Sequence, residues 1–328
     1  MKLTGVFVIE TGVVNRGDGI GNIATVKKIT TPEGIKVFFS PVSYKRALWG
    51  SLQQNKHWKE PMVTREGGVV QRTGTVIDSE EFDFAGTMIA KPKYERESVL
   101  LIDNGISVNN YFGDMEFMTN AAISNLYGEN ETNIINKEIF YGIYIMPFGI
   151  EVERIGVQEI KNLDTEINDS DIVEDKIKKV YEAFKKEDKT LKIDNIDTRI
   201  KEWVNIVESI EYDKGKKVTK IVLTKEERKR RLKDLLEGMG ELSRRMEGSE
   251  RNLSPCFSVF SLEYASPKYM FLIKDYINKK ILEGGYLDFN KLREELENFA
   301  RQEQKTLKIA DYKNYRTVID EIVKDIFG

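Results

Sequence analysis

The pattern of apolar and polar positions changes period several times along the chain, and each change marks an element. Residues 3–9 form a short β-branched and aromatic run, which predicts a strand. Residues 23–29 and 35–39 repeat that texture around Thr31, Pro32, Glu33 and Gly34, the composition of a hairpin turn. Ser40 and Pro41 then supply a helix N-cap and a proline suited to the first turn. The helix that follows places Tyr44, Ala47, Leu48, Ser51 and Leu52 on one face. Ser43, Arg46 and Gly50 fall on the other, with Lys45 at its flank.

From residue 57 to 136 the texture is broken: strand-like pieces at 68–76, 82–89 and 98–102 alternate with turns. Strand character returns at 139–145 and 149–157, joined through Met146, Pro147 and Phe148. Residues 158–213 read as helical in part (173–184 and 200–210), charged and weakly packed. A strand at 218–223 precedes a long helix from Thr224 to about Met246. Thr224 and Glu227 have the spacing of a capping box, and Leu232, Leu235, Leu236, Met239, Leu242 and Met246 form the apolar stripe. A turn-rich loop at 248–255, a strand at 257–262 and helices at 267–282, 289–299 and 312–327 complete the chain.

With the two irregular stretches set aside, the order is βαββαβ. That predicts an α+β fold of ferredoxin-like or RNA-recognition-motif type, with helices on one face of the sheet and the other face open. The 328 residues are enough for a sizeable core, and no apolar run is long enough to span a membrane. A soluble, cytoplasmic protein is expected, since residues 1–5 lack a signal-peptide pattern.

Net charge is only −3, but its distribution is uneven. Residues 1–59 hold nine Lys/Arg against three Asp/Glu, and residues 214–236 hold ten against three, whereas 158–213 hold sixteen acids against ten bases. Two basic regions therefore flank an acidic one, which admits an anionic partner that net charge would hide. Arg228, Lys229, Arg230 and Arg231 crowd a helix N-terminus, where the macrodipole disfavours cations, so an anionic partner is expected there too.

Little in the sequence supports catalysis. Gly17, Gly19 and Gly21 lack the dinucleotide spacing, and no phosphate-loop motif exists. Ser43 and Lys45 could be imagined as nucleophile and base, but a basic face does not desolvate a lysine. His57 is the single histidine, and Asp103, Asp114 and Glu116 are the candidate magnesium ligands. Cys256, the single cysteine, excludes an internal disulfide and reads as a buried thiol. No catalytic residue, metal or cofactor is expected. What remains is chemistry suited to a phosphate–sugar backbone, or else an ordinary solvated surface: a glycine loop with Asn15 and Arg16, a helix face with Ser43, Lys45 and Arg46, and Arg251 in a turn.

Several motifs in order resemble a known family. They are Gly5-Val6-Phe7, then Asn15-Arg16 leading through the glycines to Asn22, then Ser40-x-x-Ser43-x-x-Arg46-x-Leu48. Phe82-Asp83-Phe84-Ala85-Gly86-Thr87-Met88, Gly113-Asp114-x-Glu116-Phe117-x-Thr119-Asn120, Phe140-Tyr141-Gly142-Ile143-Tyr144 and Gly248-x-x-Arg251 continue the series. Together, across about 1–155 and 220–265, they resemble CRISPR effector backbone subunits of the repeat-associated (RAMP) superfamily, in the type I-B autoregulator or DevR branch. The 158–213 stretch has no counterpart in that pattern.

The resemblance implies a non-enzymatic subunit that polymerises along CRISPR RNA in the Cascade interference complex. Its partners would be the guide RNA, neighbouring copies of itself, other Cascade subunits and target DNA paired to the guide, with no membrane. The implied organisation is a palm (1–56, 137–157, 218–265), a finger insertion (57–136), an acidic helical insertion as thumb candidate (158–217) and C-terminal helices (266–328). Asn15, Arg16, Gly19, Gly21, Asn22, Ser43, Lys45 and Arg46 would contact the guide, with Arg251 and Asn252 as secondary contacts. The alternatives are an RNA-processing endonuclease of the same superfamily, with His57 as its base, and a transcriptional autoregulator.

Overall fold

The computed structural model describes residues 1–19, 21–66, 68–89, 94–128, 134–161, 163, 165, 167–168, 170–187, 200–213 and 216–328. Ile20 of the glycine loop and residues 188–199 of the acidic stretch lie outside them. Among the described residues, eight strands form one antiparallel sheet: β1 (Lys2–Gly12), β2 (Lys28–Thr31), β3 (Gly34–Phe39), β4 (Leu100–Ile102), β5 (Gly105–Asn110), β6 (Tyr141–Glu151), β7 (Phe257–Ser261) and β8 (Lys308–Asp311). They lie in the order β8-β7-β1-β6-β5-β3-β2, with β4 also paired to β6. The helices are α1 (Pro41–Asn55), α2 (Glu80–Ala85), α3 (Ala121–Tyr127), α4 (Val173–Glu187), α5 (Ile200–Trp203), α6 (Lys225–Gly240), α7 (Met270–Leu282), α8 (Phe289–Gln302) and α9 (Tyr315–Phe327).

Both faces of the sheet are covered, which corrects the expectation of an open face. Leu3 and Phe7 of β1 pack with Leu48, Leu235 and Ile319 from α1, α6 and α9. Val6 and Val8, one residue out of phase, pack with Ile273 and Leu292 from α7 and α8. That is why residues 3–9 are an apolar run rather than a clean alternation. Gly5 lets the sheet close: a Cβ there would lie 2.3 Å from the Phe148 ring.

Strand β6 runs unbroken through Pro147, where the sequence suggested two strands. Its partner changes there, from β5 at Tyr144 and Ile145 to β4 at Phe148, so the missing N–H falls between two ladders. Residues 82–89 were expected as strand, yet α2 occupies Glu80–Ala85. The overlooked signal is Ser79, whose Oγ accepts from the Phe82 N–H, followed by acids in the first turn. Helix α6 stops at Gly240 rather than near Met246, and Ser243–Met246 and Ser249–Asn252 form a hairpin instead.

The acidic stretch is better packed than its charge suggested. Strands Val157–Lys161, Lys216–Leu223 and Val204–Asp213 make a small sheet, and α4 lies with it. Ile160, Ile177, Phe184, Val207 and Ile221 share one buried cluster. Residues 204–210, read as helical, are strand: a register shift after Val204 allows Val204 and Val207 both to be buried at a helix-like spacing.

The anion expected at the basic start of α6 is the protein itself. Arg231 is 1% exposed and donates to Asp83, Glu227 and the Val76 carbonyl. Arg230 pairs with Glu80, Glu227 and Asp234, and Arg228 donates to the carbonyls of Ile155 and Glu153. Burial pushes the Arg231 guanidinium down, but the Asp83 and Glu227 charges outweigh it and raise it overall. Thr224 caps the helix by accepting from the Glu227 N–H, while the Glu227 carboxylate turns to the arginines.

Candidate nucleic-acid interface

After Gly12 the chain crosses the N-terminus of α1, and Asn15 ties it there. Asn15 Oδ1 accepts from the Ser40 N–H at 3.2 Å and from Ser40 Oγ at 3.1 Å. Ser40 Oγ in turn accepts from the Ser43 N–H, the capping bond expected of this helix start. Asn15 therefore fixes the loop to the helix cap as well as standing at its lip.

The loop then doubles back. Gly17 N–H donates to Thr25 O at 2.9 Å, and Arg16 bridges to Val26. Gly19, Gly21 and Asn22 are exposed, and Gly21 takes a φ of 58° that favours glycine.

Over this loop lies the Ser243–Asn252 hairpin, whose two-residue turn is Glu247-Gly248, both at positive φ (52° and 76°). The hairpin sets Arg244 opposite Arg251. Arg244 donates to the Val14 carbonyl at 3.1 Å and to Ser43 Oγ, joining hairpin, loop and helix. Arg251 lies across Gly12, and its Nε is buried with no partner among the described residues. Asn252 is exposed and accepts the Ser254 N–H. Arg16 forks onto Glu247 at 2.9 and 3.0 Å, and Lys137 reaches the same carboxylate at 2.6 Å. Those hydrogen bonds, Arg16 first, hold the Glu247 carboxyl down at about 2 against the opposing effect of burial.

Lys45 and Arg46 part company. Lys45 points inward and donates to Leu100 O at 2.6 Å and Ser98 Oγ at 3.0 Å. Burial, aided by the Arg72 charge, pushes its ammonium down to about 8. The desolvation that a basic face was not expected to provide is supplied by the protein beneath the helix, so Lys45 is not the outward cation the helical wheel suggested. Arg46 is exposed and lines an open cavity of about 570 Å³ with Gln53, Arg72, Glu81 and Thr87.

The structure thus brings Asn15, Arg16, Ser43 and Arg251 together, leaves Arg46 on the adjoining face and turns Lys45 away. Arg244, Lys137 and Glu247 went unread in the sequence. Glu247-Gly248 between two alternating polar runs was the available signal, masked by extending α6 too far. The strip offers guanidinium, hydroxyl and amide groups, the donors that suit phosphate and sugar oxygens.

His57 is exposed at the other end of α1, roughly 20 Å along the helix from Ser43 at 1.5 Å per residue. Among the described residues no group of three or more His, Cys, Asp or Glu is placed to hold a metal ion, Asp103, Asp114 and Glu116 included. Cys256 is partly buried, donates to the Val8 carbonyl and is pushed up to about 12 by burial. No helix among the described residues is long and apolar enough to cross a membrane.

Residues 50–280 match the family model described as CRISPR-associated negative auto-regulator DevR/Csa2. Two solved chains share the fold over nearly their whole length. One, from a "CRISPR RNA-guided surveillance complex, pre-nicking", has a TM-score of 0.55 at 9% identity, covering 99% of this chain and 100% of that one. The other, from a "CRISPR RNA-guided surveillance complex", has a TM-score of 0.51 at 11% identity, covering 99% of each. None of the curated proteins matches the chain.

Proposed function

The chain belongs to the CRISPR-associated DevR/Csa2 family, and from that premise we propose that it is a guide-RNA-binding backbone subunit of a type I surveillance (Cascade) complex. The observation that carries this reading is the single basic strip into which the glycine loop, the N-terminus of α1 and the Ser243–Asn252 hairpin converge. Such a strip positions a strand by its backbone, and base pairing between guide and target supplies the sequence.

The palm of this subunit is β1-α1-β5-β6-α6-β7; its second strand, β5, comes from within the stretch 57–136 expected as finger, and the one strand β6 replaces the two expected at 139–157. Its strand order β7-β1-β6-β5 is that of a ferredoxin-like sheet, and this supports an RNA-recognition-motif ancestry. The insertion between β5 and β6 carries the paired strands Met115–Thr119 and Ile134–Glu138, together with α3. Phe112, Phe117, Leu126 and Tyr127 there are between 63% and 89% exposed, apolar side chains that a partner surface would cover. We assign that surface to the contact between successive copies along the guide, with other subunits and target DNA joining the finished filament.

His57 lies a helix length from the strip, which weighs against the endonuclease reading. Duplex DNA competing poorly against single-stranded RNA would argue against the autoregulator. Arg46→Glu tests whether the face adjoining the strip belongs to the interface. RNA affinity at low salt should fall roughly tenfold, and the log–log salt slope should flatten by about 0.7, the share of one single-strand phosphate contact. An unchanged affinity and slope would remove Arg46 from the interface.

A further inference from the structure

Glu247 sits where its side chain is held from both sides. Its two carboxylate oxygens take the Arg16 fork at 2.9 and 3.0 Å and the Lys137 ammonium at 2.6 Å. Both cations are mostly covered, with side chains 16% and 13% exposed, while the carboxylate between them is 35% exposed and open to solvent. A fork plus an ammonium closing on two anionic oxygens is also the donor set for the two non-bridging oxygens of a phosphodiester.

The backbone gives no reason for glutamate at this position. Glu247 has φ 52°, a left-handed conformation that suits asparagine or glycine in a two-residue hairpin turn. The other carboxylates nearby have different work. Glu138 accepts from Lys28 and the Val26 N–H, and Glu250 accepts from Ser243 Oγ.

We infer that Arg16 and Lys137 form a phosphodiester site whose place is held by the Glu247 carboxylate until RNA displaces it. The inference rests on the RNA-binding reading above and adds two things to it: Lys137 as a backbone contact, and a carboxylate at the tip of the hairpin that competes with the guide. Weak or non-phosphate ligands would fail to open the site, and a continuous RNA strand held by the neighbouring strip would succeed.

Glu247→Asn is the informative variant, because it removes the charge and leaves Asn-Gly, the preferred sequence for this turn. Fluorescein-labelled oligouridine is titrated into the wild type, Glu247→Asn, Glu250→Gln and the double variant Arg16→Ala/Glu247→Asn. Glu247→Asn should bind about tenfold tighter than wild type and Glu250→Gln within about twofold of it. The double variant should lose the gain. Glu247→Gln, with a thermal melt of each protein, separates release of the site from damage to the hairpin. Equal gains from Glu247→Asn and Glu250→Gln would reduce the effect to diffuse charge and overturn the inference. Wild-type binding with no gain in either Glu247 variant would overturn it and leave the RNA reading standing. No binding by any of the proteins would remove that reading, and the site with it.

Discussion

Lys45→Met separates a buried lysine from an RNA contact without any RNA present. In the folded chain Lys45 donates to Leu100 O and Ser98 Oγ, and burial lowers its pKa from 10.5 to about 8. Below pH 8 the ammonium is charged in both states, and folding carries the full cost of burying it. Between pH 8 and 10.5 the unfolded chain binds a proton that the folded chain has released, so stability rises with pH across that window. Above 10.5 neither state is charged and the cost is gone. At 1.36 kcal/mol per pKa unit, the shift from 10.5 to about 8 corresponds to about 3 kcal/mol.

The assay is urea unfolding of wild type and Lys45→Met at matched pH, followed by fluorescence of Trp49 and Trp58, which are buried on and just beyond α1. Subtracting the two curves cancels the groups they share. The stability of wild type relative to the variant should climb by about 3 kcal/mol from pH 7.5 to 10.5. A flat difference would mean that Lys45 is solvated, and would return it to the outward face of α1.

Two further outcomes follow from the same packing. Arg231→Met leaves Glu227 to Arg230 alone and Asp83 to Arg96 and the Gly156 N–H; losing the buried charge-assisted bonds of Arg231 should cost about 2–3 kcal/mol in denaturant unfolding, and a loss below about 0.5 kcal/mol would contradict the network. Asn15→Ala removes two bonds to Ser40 and should cost about 1 kcal/mol while speeding amide exchange at the start of α1; unchanged exchange there would show that the loop is not tied to the cap.

Local signals carried the sequence reading furthest where chemistry and position coincide. Ser40-Pro41 named the start of α1, and of the six-residue stripe Leu232, Leu235, Leu236 and Met239 are buried on α6, while Leu242 and Met246 lie beyond its end. The α+β class and the family were likewise legible, the latter because ordered motifs survive where single ones are uninformative. Periodicity failed where a long-range partner decides the outcome. Val204 and Val207 share a face because of a shift in register, and Pro147 is tolerated in β6 because its ladder partner changes there.

The site divided along the same line. Sequence placed Asn15, Arg16 and Ser43 near one another, since the loop and helix are close in the chain. It could not show that Lys45 turns under α1 toward Leu100, that Arg244 joins Ser43 from 201 residues away, or that Arg228, Arg230 and Arg231 at the head of α6 face partners distant in sequence. Pairing of that kind depends on tertiary packing and leaves no local pattern.

The most direct test is the nucleic acid that accompanies the protein when it is purified from its native cells at low salt, sized and sequenced. A guide-RNA-binding backbone subunit should carry discrete RNA of CRISPR-repeat and spacer sequence, lost on washing at high salt. Protein free of nucleic acid, or carrying duplex DNA in its place, would contradict the proposed function.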